Sequence, residues 1–317
     1  MSRDNRGVQY SMRIGAHVSI SGGYDRAVYK ARDMGCTAVQ IFSAAPHAWN
    51  RANPDDQEIN LFQNAITQTG IEDVVFHATY LVNFADEGRI GHASRDTIAS
   101  ELRLAERMGI QGTIIHLGSF KHKEDTLPFE IMPDRHETLI SNIKKTLAES
   151  PQDRWFIAEN AGNRKIGKSI DELARIVADV DDRRLKICLD TCHLHAAGYD
   201  LRSAGALDTF VSDFDSKIGL DRLAVIHVND SRDPFGALRD RHENIGHGSI
   251  GTEPFRLLVN HPKLRDALFI LEVPGFDKTG PDKANVDIIK GLISRHPREG
   301  EDPVSWIPGS DSVENAR

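Results

Sequence analysis

From residue 13 onward, short apolar runs and amphipathic stretches alternate eight times, and this alternation constrains the fold more than any other feature of the chain. The runs are 13–19 (RIGAHVS), 38–43 (AVQIFS), 73–79 (DVVFHAT), 112–119 (GTIIHLGS), 155–161 (WFIAENA), 185–191 (LKICLDT), 223–230 (LAVIHVND) and 267–273 (ALFILEV). Between them lie stretches such as 24–35 (YDRAVYKARDMG), 97–109 (TIASELRLAERMG) and 169–180 (SIDELARIVADV), with Ala, Leu, Ile and Val at helical spacing. Several of these end on a glycine, as at Gly35, Gly70 and Gly109, which can take the left-handed conformation that stops a helix. Eight βα units in about 280 residues match the size and order of a (β/α)8 TIM barrel. A doubly wound open sheet is the alternative, but it would carry a glycine-rich phosphate turn after its first strand. Residues 17–23 (HVSISGG) lack the GxGxxG spacing such a turn needs. The expected organisation is a single catalytic barrel over 13–297, a short extension at 1–12, and a disordered tail at 298–317, which is polar with scattered Pro and Gly.

Composition narrows the setting. Hydrophobic residues make up 39% and charged residues 27% of the 317, as in soluble globular proteins. No apolar run approaches the roughly 20 residues of a membrane helix, so no membrane partner is expected. The start, MSRDNRGVQYS, has no apolar core of a secretory signal, and the expected compartment is the cytoplasm. Three cysteines, Cys36, Cys188 and Cys192, suit a reducing environment and read as small buried side chains. The net charge of -8 counts against nucleic acid as a partner. Composition alone does not suggest DNA.

The chemistry lies at the ends of the runs. Runs three to eight close on His77, His116, Glu159, Asp190, His227 and Glu272. A barrel points the carboxyl ends of all its strands at one face, so these six side chains would converge on one mouth. Asp and Glu number 47 and His 14 among 317 residues, so six in succession is far from a chance expectation. His193, three residues after Asp190, and Asp240 and His242 in the loop after run seven lie toward the same mouth. The nine are five imidazoles and four carboxylates, the donors preferred by Zn²⁺ and related divalent ions. Four carboxylates in one pocket would repel each other without cations.

Four segments, 14–24 (IGAHVSISGGY), 77–83 (HATYLVN), 188–200 (CLDTCHLHAAGYD) and 227–251 (HVNDSRDPFGALRDRHENIGHGSIG), resemble the motifs of the endonuclease IV family of apurinic/apyrimidinic endonucleases. The resemblance covers about residues 13–295. It implies a xylose isomerase-like TIM barrel holding three Zn²⁺, for which Mn²⁺ could substitute, and three such ions would offset most of the net negative charge at one place. Carried over residue by residue, it places one zinc on His77 and His116 and a second on Asp190, His227 and Glu272, with Glu159 bridging the two. A third falls on His193, Asp240 and His242. The implied reaction is hydrolysis of the phosphodiester 5′ to an abasic site in duplex DNA, leaving a 3′-hydroxyl and a 5′-deoxyribose phosphate, a step of base excision repair. Glu159 and Glu272 are the implied catalytic carboxylates, Glu272 orienting or deprotonating the nucleophile. A monomer is implied, with no obligate protein partner.

Reaching a phosphate inside duplex DNA requires the nucleotide to be extruded, which an abasic site does cheaply. The resemblance implies loop residues that enter the groove, and His47, Trp49, Tyr80 and Arg241 are the DNA-contact candidates. The loop after run two departs from the family pattern. Residues 45–49 read APHAW, with His47 where the family carries arginine, so a shorter and largely neutral side chain occupies the wedge position. His247 stands where the family more often has an acid, and is expected to be structural. His17 at the end of run one is expected to support a metal ligand; His195 suits a phosphate contact or plain surface equally. The rival reading is a sugar isomerase or epimerase on a related barrel, for which Glu159, Asp190, His227 and Glu272 around one divalent ion would suffice. It leaves His77, His116, His193, Asp240 and His242 without a shared purpose. A non-enzymatic DNA-binding barrel with structural zinc would need closed tetrahedral sites, which an array spread over a barrel mouth does not suit.

Overall fold

The computed structural model describes residues 12–49, 51–71, 73–120, 135–162 and 165–293. Among these, ten strands are formed: β1 (Ile14–His17), β2 (Ala38–Phe42), β3 (Asp73–His77), β4 (Gly112–His116), β5 (Trp155–Glu159), β6 (Leu185–Asp190), β7 (Leu223–His227), the short β8 (Asp230–Ser231) and β9 (His242–Glu243), and β10 (Leu268–Leu271). Eight of them close into a parallel barrel in the order β1-β10-β7-β6-β5-β4-β3-β2, while β8 and β9 form a separate antiparallel pair. Since β1 pairs with both β2 and β10, the sheet has no edge, and the open doubly wound alternative is excluded. The barrel expected from the alternation is the fold. Of the extension and tail expected at 1–12 and 298–317, all but Met12 lies outside the described residues.

Around the barrel run α1 (Tyr24–Asp33), α2 (Asp56–Thr69), α3 (Arg89–Met108), α4 (His136–Ala148), α5 (Ile170–Val180), α6 (Thr191–Ala197), α7 (Ala204–Lys217), α8 (Thr252–Asn260) and α9 (Lys283–Leu292). Their boundaries are written locally. Asp55 and Glu58 form a reciprocal capping box at the start of α2, which stops at Gly70 with φ 71°. No helix among the described residues is long and apolar enough to cross a membrane.

Two apolar layers hold the fold. The larger packs the helices onto the outside of the barrel. The smaller fills the barrel itself with Ala38, Val75, Ile114, Ile157, Cys188, Val225, Leu268 and Ile270. Strand side chains alternate faces, so the residue two further along shares the inward face. Two residues beyond Ala38, Val75, Ile114, Ile157, Cys188, Val225 and Ile270 stand Gln40, His77, His116, Glu159, Asp190, His227 and Glu272. An apolar plug therefore lies beneath a polar layer, and truncating one of its large members, as in Ile157→Ala, costs about 2–5 kcal/mol. On β1 the position under His17 is Gly15, where a Cβ would lie 2.6 Å from both the Ala38 carbonyl oxygen and Ile270 Cδ1. Only glycine leaves Ile270 the room it fills.

Candidate metal centre

The donors of the polar layer fall into three overlapping groups: His77, His116 and Glu159; Glu159, Asp190, His227 and Glu272; and Asp190, His193 and His242. Within each group the candidate ligand atoms lie within 4.8 Å of one another. Glu159 belongs to the first two groups, as the resemblance implies. Asp190 belongs to the second and third, which the sequence reading does not anticipate. Asp240, placed there with His193 and His242, stands beside this third group, where its charge helps to hold the His193 proton.

Hydrogen bonds behind the rings decide what each ring presents to the centre. His77 Nδ1 is 2.8 Å from the Ala78 carbonyl oxygen, His193 Nδ1 is 3.0 Å from that of Asn160, and His242 Nδ1 is 3.2 Å from that of Glu272. A carbonyl oxygen can only accept, so each Nδ1 carries hydrogen and each Nε2 of the neutral ring offers a lone pair. His77 Nε2 lies 3.3 Å from Glu159 Oε2, and His242 Nε2 lies 3.4 Å from Asp190 Oδ2. His116 Nε2 is 3.4 Å from the same Glu159 oxygen, and its buried Nδ1 has no partner among the described residues. A lone pair facing a carboxylate oxygen at this separation is reconciled by a cation between them, or otherwise by a proton on the ring. The donor set thus fits divalent metal.

The charge states agree. Burial alone would push His193 down, but Asp190, Glu159 and Asp240 outweigh it and raise the ring to about 9. His116, whose burial is reinforced by His77 and His193, falls to about 3 despite Glu159. Burial would raise Glu159 as well, yet His116, His227 and His193 hold its carboxyl well below the usual range. Protons and metal compete for the same lone pairs, so the protons that His77, His193 and His227 take up are those a cation displaces.

Two asparagines missed in the sequence reading brace this array. Asn160 Oδ1 accepts from the Asp190 backbone N–H at 2.6 Å. Asn229 Nδ2 donates to Asp190 Oδ2 at 2.6 Å while its Oδ1 accepts from the Glu272 backbone N–H at 2.8 Å. Each sits one or two residues past a candidate ligand, which is the signal that could have found it. His17 does meet a ligand, with Nδ1 3.1 Å from Glu272 Oε1. His195 is buried 3.0 Å from Ser249 Oγ, away from the surface, and exposed His247 packs edge-on against Phe276.

On the rim, Trp49 and Tyr80 are exposed, and the His47 ring lies 5.6 Å from that of Tyr80. Arg241 is held by both oxygens of Asp233, at 2.8 and 2.7 Å, which fixes the direction of its guanidinium. Phe235, Leu238 and Phe276, in loops on the same face, are further exposed apolar side chains that strand-end reasoning does not reach.

A closed parallel barrel with imidazoles and carboxylates crowded at the carboxyl ends of its strands defines a metal-dependent enzyme. A family model described as xylose isomerase-like TIM barrel matches residues 28–292. "Probable endonuclease 4" of Methanoculleus marisnigri is 37% identical over 284 residues, spanning 88% of this chain and 98% of the relative. The crystal structure of endonuclease IV from Thermus thermophilus superposes with a TM-score of 0.75 at 32% identity, covering 88% of this chain and 98% of that one. A D-tagatose 3-epimerase-like protein shares the fold with a TM-score of 0.67 at 18% identity over 89% of this chain and 97% of its own, a likeness of architecture alone. The chain belongs to the endonuclease IV family, and so to the metal-dependent nucleases among the hydrolases.

Proposed function

We propose that the chain is a zinc-dependent apurinic/apyrimidinic endonuclease that hydrolyses the phosphodiester 5′ to an abasic site in duplex DNA, leaving a 3′-hydroxyl and a 5′-deoxyribose phosphate, in base excision repair in the cytoplasm. One observation carries the reading: three donor groups that share Glu159 and Asp190 at the mouth of a barrel, in a chain of this family. His77, His116, His193, His227, Asp190, Glu159, Glu272, His242 and the adjacent Asp240 would hold the ions. When bound, zinc would supply Lewis acidity toward the phosphoryl oxygens and lower the pKa of water toward about 7.

The chain's own residues do the rest. Glu159 offers one oxygen to His77 and His116 and the other to His193 and His227, so the geometry of the centre turns on a single carboxylate. Glu272 has Oε1 engaged by Gln40 and His17, leaving Oε2 toward His227 and the mouth, where it can orient a water or take its proton. Tyr80 and His47 form an aromatic pair that, with exposed Trp49 two residues beyond His47, would enter the gap left by a missing base, and Arg241 would meet backbone phosphate.

Glu159, Asp190, His227 and Glu272 also form one group by themselves, the arrangement a single-metal isomerase would use. The other two groups have no role in that reading. Incubating the chain with a duplex bearing one synthetic abasic site, with and without chelator, tests the proposal. Metal-dependent incision on the 5′ side is expected, and an intact duplex would refute it.

A further inference from the structure

Four candidate ligand rings have one nitrogen engaged, and in three of these a backbone carbonyl holds it, His193 Nδ1 standing also 3.2 Å from Glu159 Oε1. The fourth, His227, is held by a side chain from the far side of the barrel. Its Nε2 lies 2.8 Å from Oε1 of Gln40, a residue of β2 that is fully buried. We propose that Gln40 is a positioning residue that selects Nδ1 of His227 as its metal-facing atom and ties that ring to Glu272 as one preset pair. The inference rests on the metal-dependent reading above.

The orientation of the amide follows from its partners. Gln40 Nε2 is 2.5 Å from Glu272 Oε1 and 2.7 Å from His17 Nδ1. A carboxylate oxygen accepts only, so the NH₂ end of the amide must face Glu272, and the carbonyl end must face His227. That carbonyl in turn accepts only, so His227 Nε2 carries the hydrogen, and the neutral ring is left with its lone pair on Nδ1. Nδ1 is the atom that points into the centre, 3.3 Å from Glu159 Oε1, 3.3 Å from Glu272 Oε2 and 3.7 Å from Asp190 Oδ2. With the opposite tautomer, an N–H would occupy the coordinating position and the lone pair would face the Gln40 oxygen. Gln40 therefore serves two members of one donor group at once. Every polar atom of a buried glutamine is used, which is the condition for tolerating one there.

His77, His193 and His242 present Nε2, and no side-chain substitution can remove the carbonyls behind them. Of these four rings, His227 alone has its coordinating atom set by a side chain with no backbone carbonyl behind it. Loss of Gln40 should therefore weaken one ion and leave the others. Loss of an outer-shell partner of this kind lowers metal affinity about 10–100-fold.

The test uses zinc-loaded protein carrying ¹⁵N-labelled histidine, with chelator competition for affinity. The wild-type chain is expected to show one ring coordinated through Nδ1, assigned to His227 by its absence in His227→Gln. In Gln40→Met, which matches the volume but has no amide, one ion should be held about 10–100-fold less tightly and the Nδ1-bound signal should shift or vanish. A general packing defect would instead loosen all ions alike and leave the Nδ1-bound signal in place. Gln40→Met that retains every ion at wild-type affinity with the Nδ1-bound ring intact would overturn the inference. So would wild-type protein with His227 bound through Nε2, even if Gln40→Met fails to fold. Failure of the functional reading is distinct, because it shows in wild-type protein as absent metal or absent incision.

Discussion

His227 and Glu159 face each other from strands β7 and β5, with Nδ1 of the ring 3.3 Å from Oε1 of the carboxylate, both fully buried. The other oxygen of Glu159 faces His77 at 3.3 Å and His116 at 3.4 Å. One carboxylate thus joins two donor groups. Glu159→Gln removes the charge that both groups share while keeping the shape, so it should lower both metal content and incision. Several kcal/mol of transition-state stabilisation are at stake, a loss of about three orders of magnitude in rate. Elemental analysis together with steady-state cleavage checks this; a variant with full metal and wild-type turnover would contradict it.

Glu272 is asked to do more than bind. Its Oε1 is held by Gln40 and His17, and under the proposed function the other oxygen would orient or deprotonate a water. Glu272→Gln should lose turnover by more than it loses metal. The measurement is the single-turnover cleavage rate at a metal occupancy verified in the same sample, and full turnover at full occupancy would remove the carboxylate from the mechanism.

Asp230, buried at the start of β8, organises the loop that carries Asp240 and His242. Its two oxygens accept from the backbone N–H groups of Ser231, Gly246, Gly248 and Ile250, at 2.8, 2.9, 3.0 and 3.0 Å. Asp230→Ala leaves these donors without a partner, and each buried orphan costs about 1–3 kcal/mol. Urea unfolding should show a loss of about 3 kcal/mol or more, and a midpoint within error of wild type would contradict the account.

Glu101 on α3 gives stability a pH dependence of known sign. Burial raises its carboxyl to about 8 from the ordinary 4.5, with Ser43 and His77 opposing. Between those values the folded chain keeps a proton that the unfolded chain has released, so stability falls as pH rises through the window. Glu101→Gln removes the titration. Its Tm should match wild type near the lower end and exceed it near the upper end, and parallel Tm profiles would refute the assignment.

Most of the fold was legible because the signal that makes a barrel strand is local. An apolar run that ends in His, Asp or Glu records both the plug and the polar layer, as at Ile157 and Glu159 or Val225 and His227. Gln40 escaped because it sits inside an apolar run rather than at its end, although it shares the inward phase of Ala38. The joining of two groups by Asp190 was not legible either. It depends on how far α6, capped by the Asp190 side chain, carries His193 back over the mouth, and that distance is set by packing. The exposed rim of Phe235, Leu238 and Phe276 lies on loops with no periodicity to announce it.

The lip of the mouth offers a direct test of DNA engagement. His47 lies against Tyr80 at 5.6 Å between ring centroids, a shorter side chain than arginine at that place. His47→Arg should tighten binding to abasic duplex and steepen the dependence of log affinity on log salt by about one unit, as one added phosphate contact does. Fluorescence anisotropy over a salt series reads both, and unchanged affinity and slope would place the wedge elsewhere.

The number of zinc ions held per chain tests the central claim most directly. Elemental analysis of the purified, chelator-washed and zinc-reconstituted protein should find about three ions for each chain, one for each of the three overlapping groups that eight donors form. Saturation by a single ion would contradict the account and leave only the four-residue isomerase arrangement standing.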